Sequence, residues 1–178
     1  MKSKQKISSG PNRPQGFTLV ELMVVIGIIG IGLAIGIPVY NTTIKPTARL
    51  NGAARQLFSE IQLARLQAVS ENVRYGLAFF AGPDRYIVFV DNNSNSQRDA
   101  GDQDIKTVNL ANEYPNVVFD TASGDTGDGV DLFGANNSTS MQPSGLPTKQ
   151  GTIYLINEKG EGREIVINQM GGVRIEKY

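Results

Sequence analysis

The chain has no cysteine and no histidine. The first absence rules out a disulfide framework and a thiolate metal site. The second removes the commonest general base and every histidine-dependent triad. No acid, base and nucleophile constellation stands in their place, so an enzyme ranks behind the other classes of function. Charge is also scarce at the start of the chain. No acidic residue precedes Glu21, and between residues 17 and 39 Glu21 is the only ionisable side chain. The length, 178 residues, suits one soluble domain plus a helix.

Mostly Ile, Val, Leu, Met and Gly fill that nearly uncharged stretch. An apolar run of about 20 residues, at about 1.5 Å per residue, spans a bilayer core as a helix. A carboxylate near the start of such a helix is costly and normally marks a function with a partner. Upstream lie Lys2, Lys4, Lys6 and Arg13. Basic flanks stay on the cytoplasmic side, so the chain beyond the helix is expected outside the cytoplasm. A secretory signal would end in small residues after its apolar core. Here Gly16 comes before the core, and Ala34-Ile35-Gly36-Ile37-Pro38 makes a poor cleavage site after it. A cut at Gly16 would remove the basic leader and keep the helix. The plainer alternative is a signal anchor that tolerates Glu21 near its end.

Gly16-Phe17-Thr18-Leu19-Val20-Glu21, with Pro38 further on, resembles the prepilin signal of the type IV pilin and pseudopilin superfamily. The resemblance implies that a prepilin peptidase cuts between Gly16 and Phe17 and that Phe17 is N-methylated. It also implies an assembly role for Glu21, fifth in the processed chain, through pairing with the N-terminal amine of a neighbouring subunit. Such pairing makes physical sense, because a carboxylate in hydrocarbon needs a counter-charge. Loss of the leader would take the formal charge from 0 to −4, since it removes four basic residues and no acidic ones. Many type IV pilins close a C-terminal loop with a disulfide, and this chain cannot.

Four segments follow in order. Residues 1–16 form a polar leader without structure, and 17–40 a transmembrane and assembly helix. Within it Gly32 and Gly36 lie four apart, after Gly27 and Gly30, a spacing that lets helices pack closely. Pro38 and Pro46 mark bends. Residues 41–72 carry an amphipathic helix into the globular domain. Leu50, Ala54, Leu57, Phe58, Ile61, Ala64 and Ala68 recur at three- and four-residue steps, opposite Arg49, Arg55, Glu60, Arg65 and Glu71. Residues 73–178 form a β-rich domain. Strands are expected at 73–80, 86–90, 105–110, 116–120, 130–133, 151–156, 164–167 and 173–175, with 123–140 otherwise a polar loop region. The fold class is α+β: a long N-terminal helix, transmembrane in its first half, packed on an antiparallel β-sheet domain as in pilins.

Later segments resemble the GspH/FimT group of minor pseudopilins. They are Leu57-Phe58-Ser59 to Ala64-Arg65-Leu66-Gln67-Ala68, Val88-Phe89-Val90-Asp91-Asn92-Asn93, Gln142-Pro143-Ser144-Gly145, and the closing Ile165-Val166-Ile167 with Gly171 and Val173-Arg174. The resemblance implies a structural subunit of a type II secretion pseudopilus that takes part in protein export. Its implied partners are other pilins or pseudopilins, the prepilin peptidase and an inner-membrane assembly platform. Its implied location is the inner membrane, with the C-terminal domain in the periplasm. The alternative is a FimT-like minor pilin of a type IV pilus system. Some of these bind DNA for uptake through Gly-Arg, one residue, then Arg. Here Gly171-Gly172-Val173-Arg174 lacks the first arginine, which leaves Arg174 and Lys177 as the candidate DNA contacts, with Glu176 between them. Phosphate binding draws its strength from several cations, so the sequence argues against DNA as a partner.

No cofactor is required by this reading, but Ca²⁺ is a candidate. Asp91, Asn93, Asn95, Asp99 and Asp102 put oxygens at positions 1, 3, 5, 9 and 12 of a twelve-residue loop. Two residues depart from the calcium-loop pattern: Ser96 stands where glycine makes the bend, and Asp102 where a bidentate glutamate is usual. The alternative is a polar hairpin loop whose Asn and Asp side chains bond their own backbone. Asp120, Asp125, Asp128 and Asp131 make a looser acidic loop.

Overall fold

The computed structural model describes residues 16–132 and 136–178. Residues 1–15 of the expected leader, with Lys2, Lys4, Lys6 and Arg13, lie outside the described residues, as does Phe133 at the end of an expected strand. The chain divides into two compact units between Tyr40 and Asn41.

In the first unit, helix α1 (Leu19–Val39) is apolar on every side and buries none of its residues. A helix of that kind belongs in a membrane or a bundle. It is long and apolar enough to cross a membrane. The prolines do not break the helical backbone, which runs from Leu19 to Glu71. Where bends were expected, a π-helical turn (Tyr40–Ile44) lies between Pro38, inside α1, and Pro46, in the first turn of α2 (Lys45–Glu71). Proline lacks the N–H that bonds one turn back, and a local π-helical turn is one way for a helix to absorb the disturbance.

In the second unit, α2 buries Leu50, Ala53, Ala54, Leu57, Ile61, Ala64 and Ala68. Phe58 is only half-buried, so the apolar face is rotated slightly towards Ala53. Asn72, at φ 56° in the left-handed region, ends the helix. There follow β1 (Tyr75–Phe80), β2 (Arg85–Val90), β3 (Gln103–Asn109), the short helix α3 (Leu110–Glu113), β4 (Val117–Phe119), β5 (Val130–Leu132), β6 (Ser138–Met141), β7 (Gly151–Asn157), β8 (Gly162–Ile167) and β9 (Val173–Glu176). They make two antiparallel sheets, ordered β3-β2-β1-β6 and β4-β7-β8-β9, with β5 also paired to β7. Helix α2 packs on both, and the shared core includes Leu77, Phe79, Phe119, Ile153, Leu155 and Ile165.

Strands β4 and β5 lie end to end along one edge of β7, opposite 155–157 and 151–153. Tyr154 bridges the gap: its carbonyl accepts from Asp120 N at 3.0 Å and its N–H donates to Gly129 O at 2.9 Å. The loop between 120 and 129 is thus an excursion from one edge strand.

Two elements differ from expectation. The end of the expected strand at 105–110 turns into α3, whose N-cap Asn109 accepts from Asn112 N at 3.4 Å. Strand β6, in a stretch expected to be loop, is buried throughout despite its sequence Ser138-Thr139-Ser140-Met141. Its hydroxyls all find partners: Ser138 Oγ donates to Ser96 O (2.6 Å), Thr139 Oγ1 to Lys149 O (2.9 Å) and Ser140 Oγ to Asp91 Oδ2 (2.9 Å). Polar residues enter a core when their hydrogen bonds are met, and composition alone cannot show that they are.

Candidate functional site

Gly16, Phe17 and Thr18 precede α1 in a non-helical backbone, and the Phe17 side chain is 86% exposed. Thr18 is the N-cap, with extended φ −78° and ψ 153°. Glu21 N donates to Thr18 Oγ1 at 3.1 Å, and Thr18 N donates back to Glu21 Oε2 at 3.4 Å. This reciprocal capping box satisfies two of the N–H groups that a helix start leaves open. It also keeps the Glu21 carboxylate in the first turn, where the positive end of the helix dipole favours it. Among the described residues no ion pair reaches Glu21. A side chain added at Gly27, Gly30, Gly32 or Gly36 would meet no atom within 4 Å, so these close-packing positions stand open. Gly16 and Phe17, expected at the processing site, and Glu21, expected in assembly, therefore share one exposed helix start.

The loop at 91–102 uses its oxygens on itself. Asp91 is buried, and its carboxylate accepts from Asn95 N (3.1 Å), Ser96 N (3.0 Å) and the Ser140 hydroxyl (2.9 Å). Asn93 and Asn95 both turn their amide groups to Asp99 Oδ2, at 2.8 and 2.6 Å, and these two bonds hold the Asp99 carboxyl below the usual carboxylate range. Asp102 accepts from Asn92 N at 3.1 Å and Asp99 N at 2.8 Å. Ser96, in the place of the expected glycine, adopts φ 63°. Among the described residues no three acidic side chains form a group that could hold a metal. The calcium-loop spacing thus gives side-chain caps for a turn, because amide donors and backbone N–H groups reach the carboxylates. Millimolar Ca²⁺ is accordingly expected to leave the melting temperature of the detergent-solubilised chain unchanged. A clear rise would restore the loop as a cation site.

The second acidic loop is also locally bonded. Asp131 accepts from Asp125 N at 2.9 Å, and Asp128 from the Thr126 hydroxyl at 2.6 Å. Burial pushes the Asp120 carboxyl up, but hydrogen bonds from Ser123, Tyr178 and the Ala122 and Ser123 N–H groups outweigh it and leave it lowered.

Arg174 projects from β9 and pairs with Glu176 on the same strand. Glu176 lies opposite Glu164 of β8, so two carboxylates attend one guanidinium, and Lys177 follows at the exposed end. Burial, the hydrogen bond to Glu176 and its negative charge raise the Glu164 pKa, with Arg174 offsetting part of the rise. A raised folded pKa means that the ionised form opposes folding above it. Glu164→Gln is therefore expected to stabilise the chain at neutral pH by about 0.5 kcal/mol, the scale of a like-charge cross-strand pair. Thermal melts should show that gain shrinking as the pH falls through the Glu164 pKa.

The comparisons with known proteins agree with this arrangement. A family model described as type II transport protein GspH matches residues 53–171, and one for the prokaryotic N-terminal methylation motif matches residues 11–37. The pilin-like protein PilA1 of Thermus thermophilus is 32% identical over 164 residues, which is 91% of this chain and 98% of that protein. Among solved structures, the minor pseudopilin EpsH from the type 2 secretion system of Vibrio cholerae gives a TM-score of 0.52 at 13% identity, covering 72% of this chain and 97% of that one. The type IV minor pilin FimU of Pseudomonas aeruginosa gives 0.52 at 15% identity, covering 75% and 92%. Those two structures speak to the fold. An apolar N-terminal helix with a methylation motif, followed by an α+β domain of this kind, defines a pilin-like structural subunit. The chain belongs to the GspH family of type II transport proteins.

Proposed function

We infer that the chain works as a minor pseudopilin, a structural subunit of a type II secretion pseudopilus that takes part in protein export. The carrying observation is the joint match of the methylation motif at residues 11–37 and the GspH domain at 53–171. In this reading the prepilin peptidase cuts between Gly16 and Phe17, Phe17 is methylated, and α1 holds the chain in the inner membrane. The globular domain lies on the periplasmic side, in keeping with the basic leader. Helix α1 then associates with the helices of other pilins or pseudopilins, and the inner-membrane platform hands the subunit to the fibre. This cycle requires no small-molecule or metal cofactor.

A minor pilin of a type IV pilus system is the second reading, favoured by the likeness to the pilin-like protein of Thermus thermophilus over most of both chains. DNA uptake through Arg174 and Lys177 gains little from the geometry, because Glu176 pairs with Arg174. A crosslinked pull-down of the full-length protein from its own membranes, read by mass spectrometry, separates the two machines. Secretion pseudopilins and the secretin of that system are the expected recovery. A major pilin with pilus tip proteins would move the chain to the type IV pilus.

A further inference from the structure

We propose that Thr18 is a positioning residue for leader removal: its hydroxyl fixes the first helical residue at Leu19 and so keeps the Gly16–Phe17 bond in open, non-helical chain. The proposal rests on the reading that a peptidase hydrolyses this bond, with water supplying the new Gly16 carboxylate and Phe17 amine. Two observations carry it. Helical backbone begins at Leu19 and runs to Glu71, whereas residues 16–18 are not helical. The boundary coincides with the Glu21 N–H donating to Thr18 Oγ1 at 3.1 Å.

Once a helix exists, adding a residue to its end is cheap compared with starting one. An established helix therefore tends to grow backwards, and its open N–H groups are what growth would satisfy. Near a membrane that drive is stronger, since water is less available to bond them. Thr18 removes the drive by supplying an oxygen in place of another helical turn. A peptidase acts on the open form of its substrate, so the rate follows the population in which residues 16–18 stay non-helical. Gly16 also opposes helix growth, but only at its own position.

The test measures the initial rate of leader removal from the full-length precursor in membranes containing the prepilin peptidase, with alkaline extraction confirming that each variant is inserted. Thr18→Val keeps the shape and loses the acceptor; it is expected to slow cleavage by up to about fivefold, the full scale of one lost N-cap. Thr18→Ser and Thr18→Asn keep an N-cap acceptor and are expected within about twofold of the wild-type rate. Wild-type cleavage of the Val variant would overturn the proposal. So would slow cleavage of all three variants, which would show that the residue is read by its shape. Rescue by Ser but not by Asn would overturn it too, because it would mean the peptidase touches the hydroxyl directly. If the wild-type precursor itself is not cut at Gly16, the processing reading fails, and this proposal falls with it.

Discussion

Glu21→Ala is expected to be processed and inserted like the wild-type chain and to be missing from the fibres. Processing should survive because the stronger half of the cap, Glu21 N to Thr18 Oγ1 at 3.1 Å, uses the backbone of residue 21. Only the longer return bond, at 3.4 Å, depends on the carboxylate. Assembly should fail for a different reason. Helix α1 offers no other charge, and among the described residues no cation pairs with Glu21, which leaves its carboxylate open to a partner from another chain. The new amine at Phe17 of a neighbour has the right charge. Removing one member of a desolvated pair strands the other, at about 3–5 kcal/mol. A loss of about 3 kcal/mol already means roughly a hundredfold less incorporation at equilibrium. Co-expression of mutant and wild-type chains, with quantitation of each in sheared fibres, measures this directly. Equal incorporation would sink the pairing idea. Glu21→Gln should fail as well, since it keeps the shape and loses the charge.

The parts of this molecule that were legible in the sequence are those set by local periodicity. The apolar run, its single acid and the three- and four-residue rhythm of α2 need no knowledge of distant partners. The structure accordingly buries Leu50, Leu57, Ile61, Ala64 and Ala68 together. Strands β1 and β2 carry enough apolar residues to stand out in the same way. Strand β6 does not, because Ser138, Thr139 and Ser140 become buried only through partners outside the strand, Ser96 and Asp91 more than 40 residues away and Lys149 ten residues on. The 91–102 loop shows the converse. Its oxygens fall at metal-binding intervals, yet spacing cannot reveal that Asn93 and Asn95 turn their amide hydrogens to Asp99.

A chain without cysteine has to hold its last strand by other means. Tyr178 does part of this. Its hydroxyl donates to Asp120 Oδ2 at 2.7 Å, and its ring meets Tyr154 edge to face with centroids 5.4 Å apart. Gly162 leaves room for that ring, since a side chain there would lie 2.4 Å from it. These contacts tie the end of the chain to the 120–129 loop, hydrogen-bonded across β4 and β5 to the outer edge of β7. Contacts between residues so distant in sequence carry no local signature, and the tyrosine alone gave no hint of them.

The same edge provides the largest expected effect on stability. Gly151 opens β7 with β5 on one side and β8 on the other, opposite Leu132 and Ile167. A Cβ at this position would lie 1.9 Å from the Asp131 carbonyl oxygen and 2.7 Å from Leu132 Cα. Both are backbone atoms, so no rotamer change relieves the clash; β5 has to move away from β7. That movement breaks the Val130–Ile153 and Leu132–Gly151 pairing and exposes the buried Val130 and Leu132 side chains. Overpacking against backbone, with that burial lost, is expected to cost Gly151→Ala about 3 kcal/mol. In a domain of this size the shift in melting temperature would be about 10 °C. Gly82→Ala supplies the contrast, because a side chain at Gly82 meets nothing within 4 Å and its melting temperature should not change. If the two variants melt together, β5 does not lie on β7 as described, and the 120–129 loop loses the anchor that brings Asp120 to Tyr178.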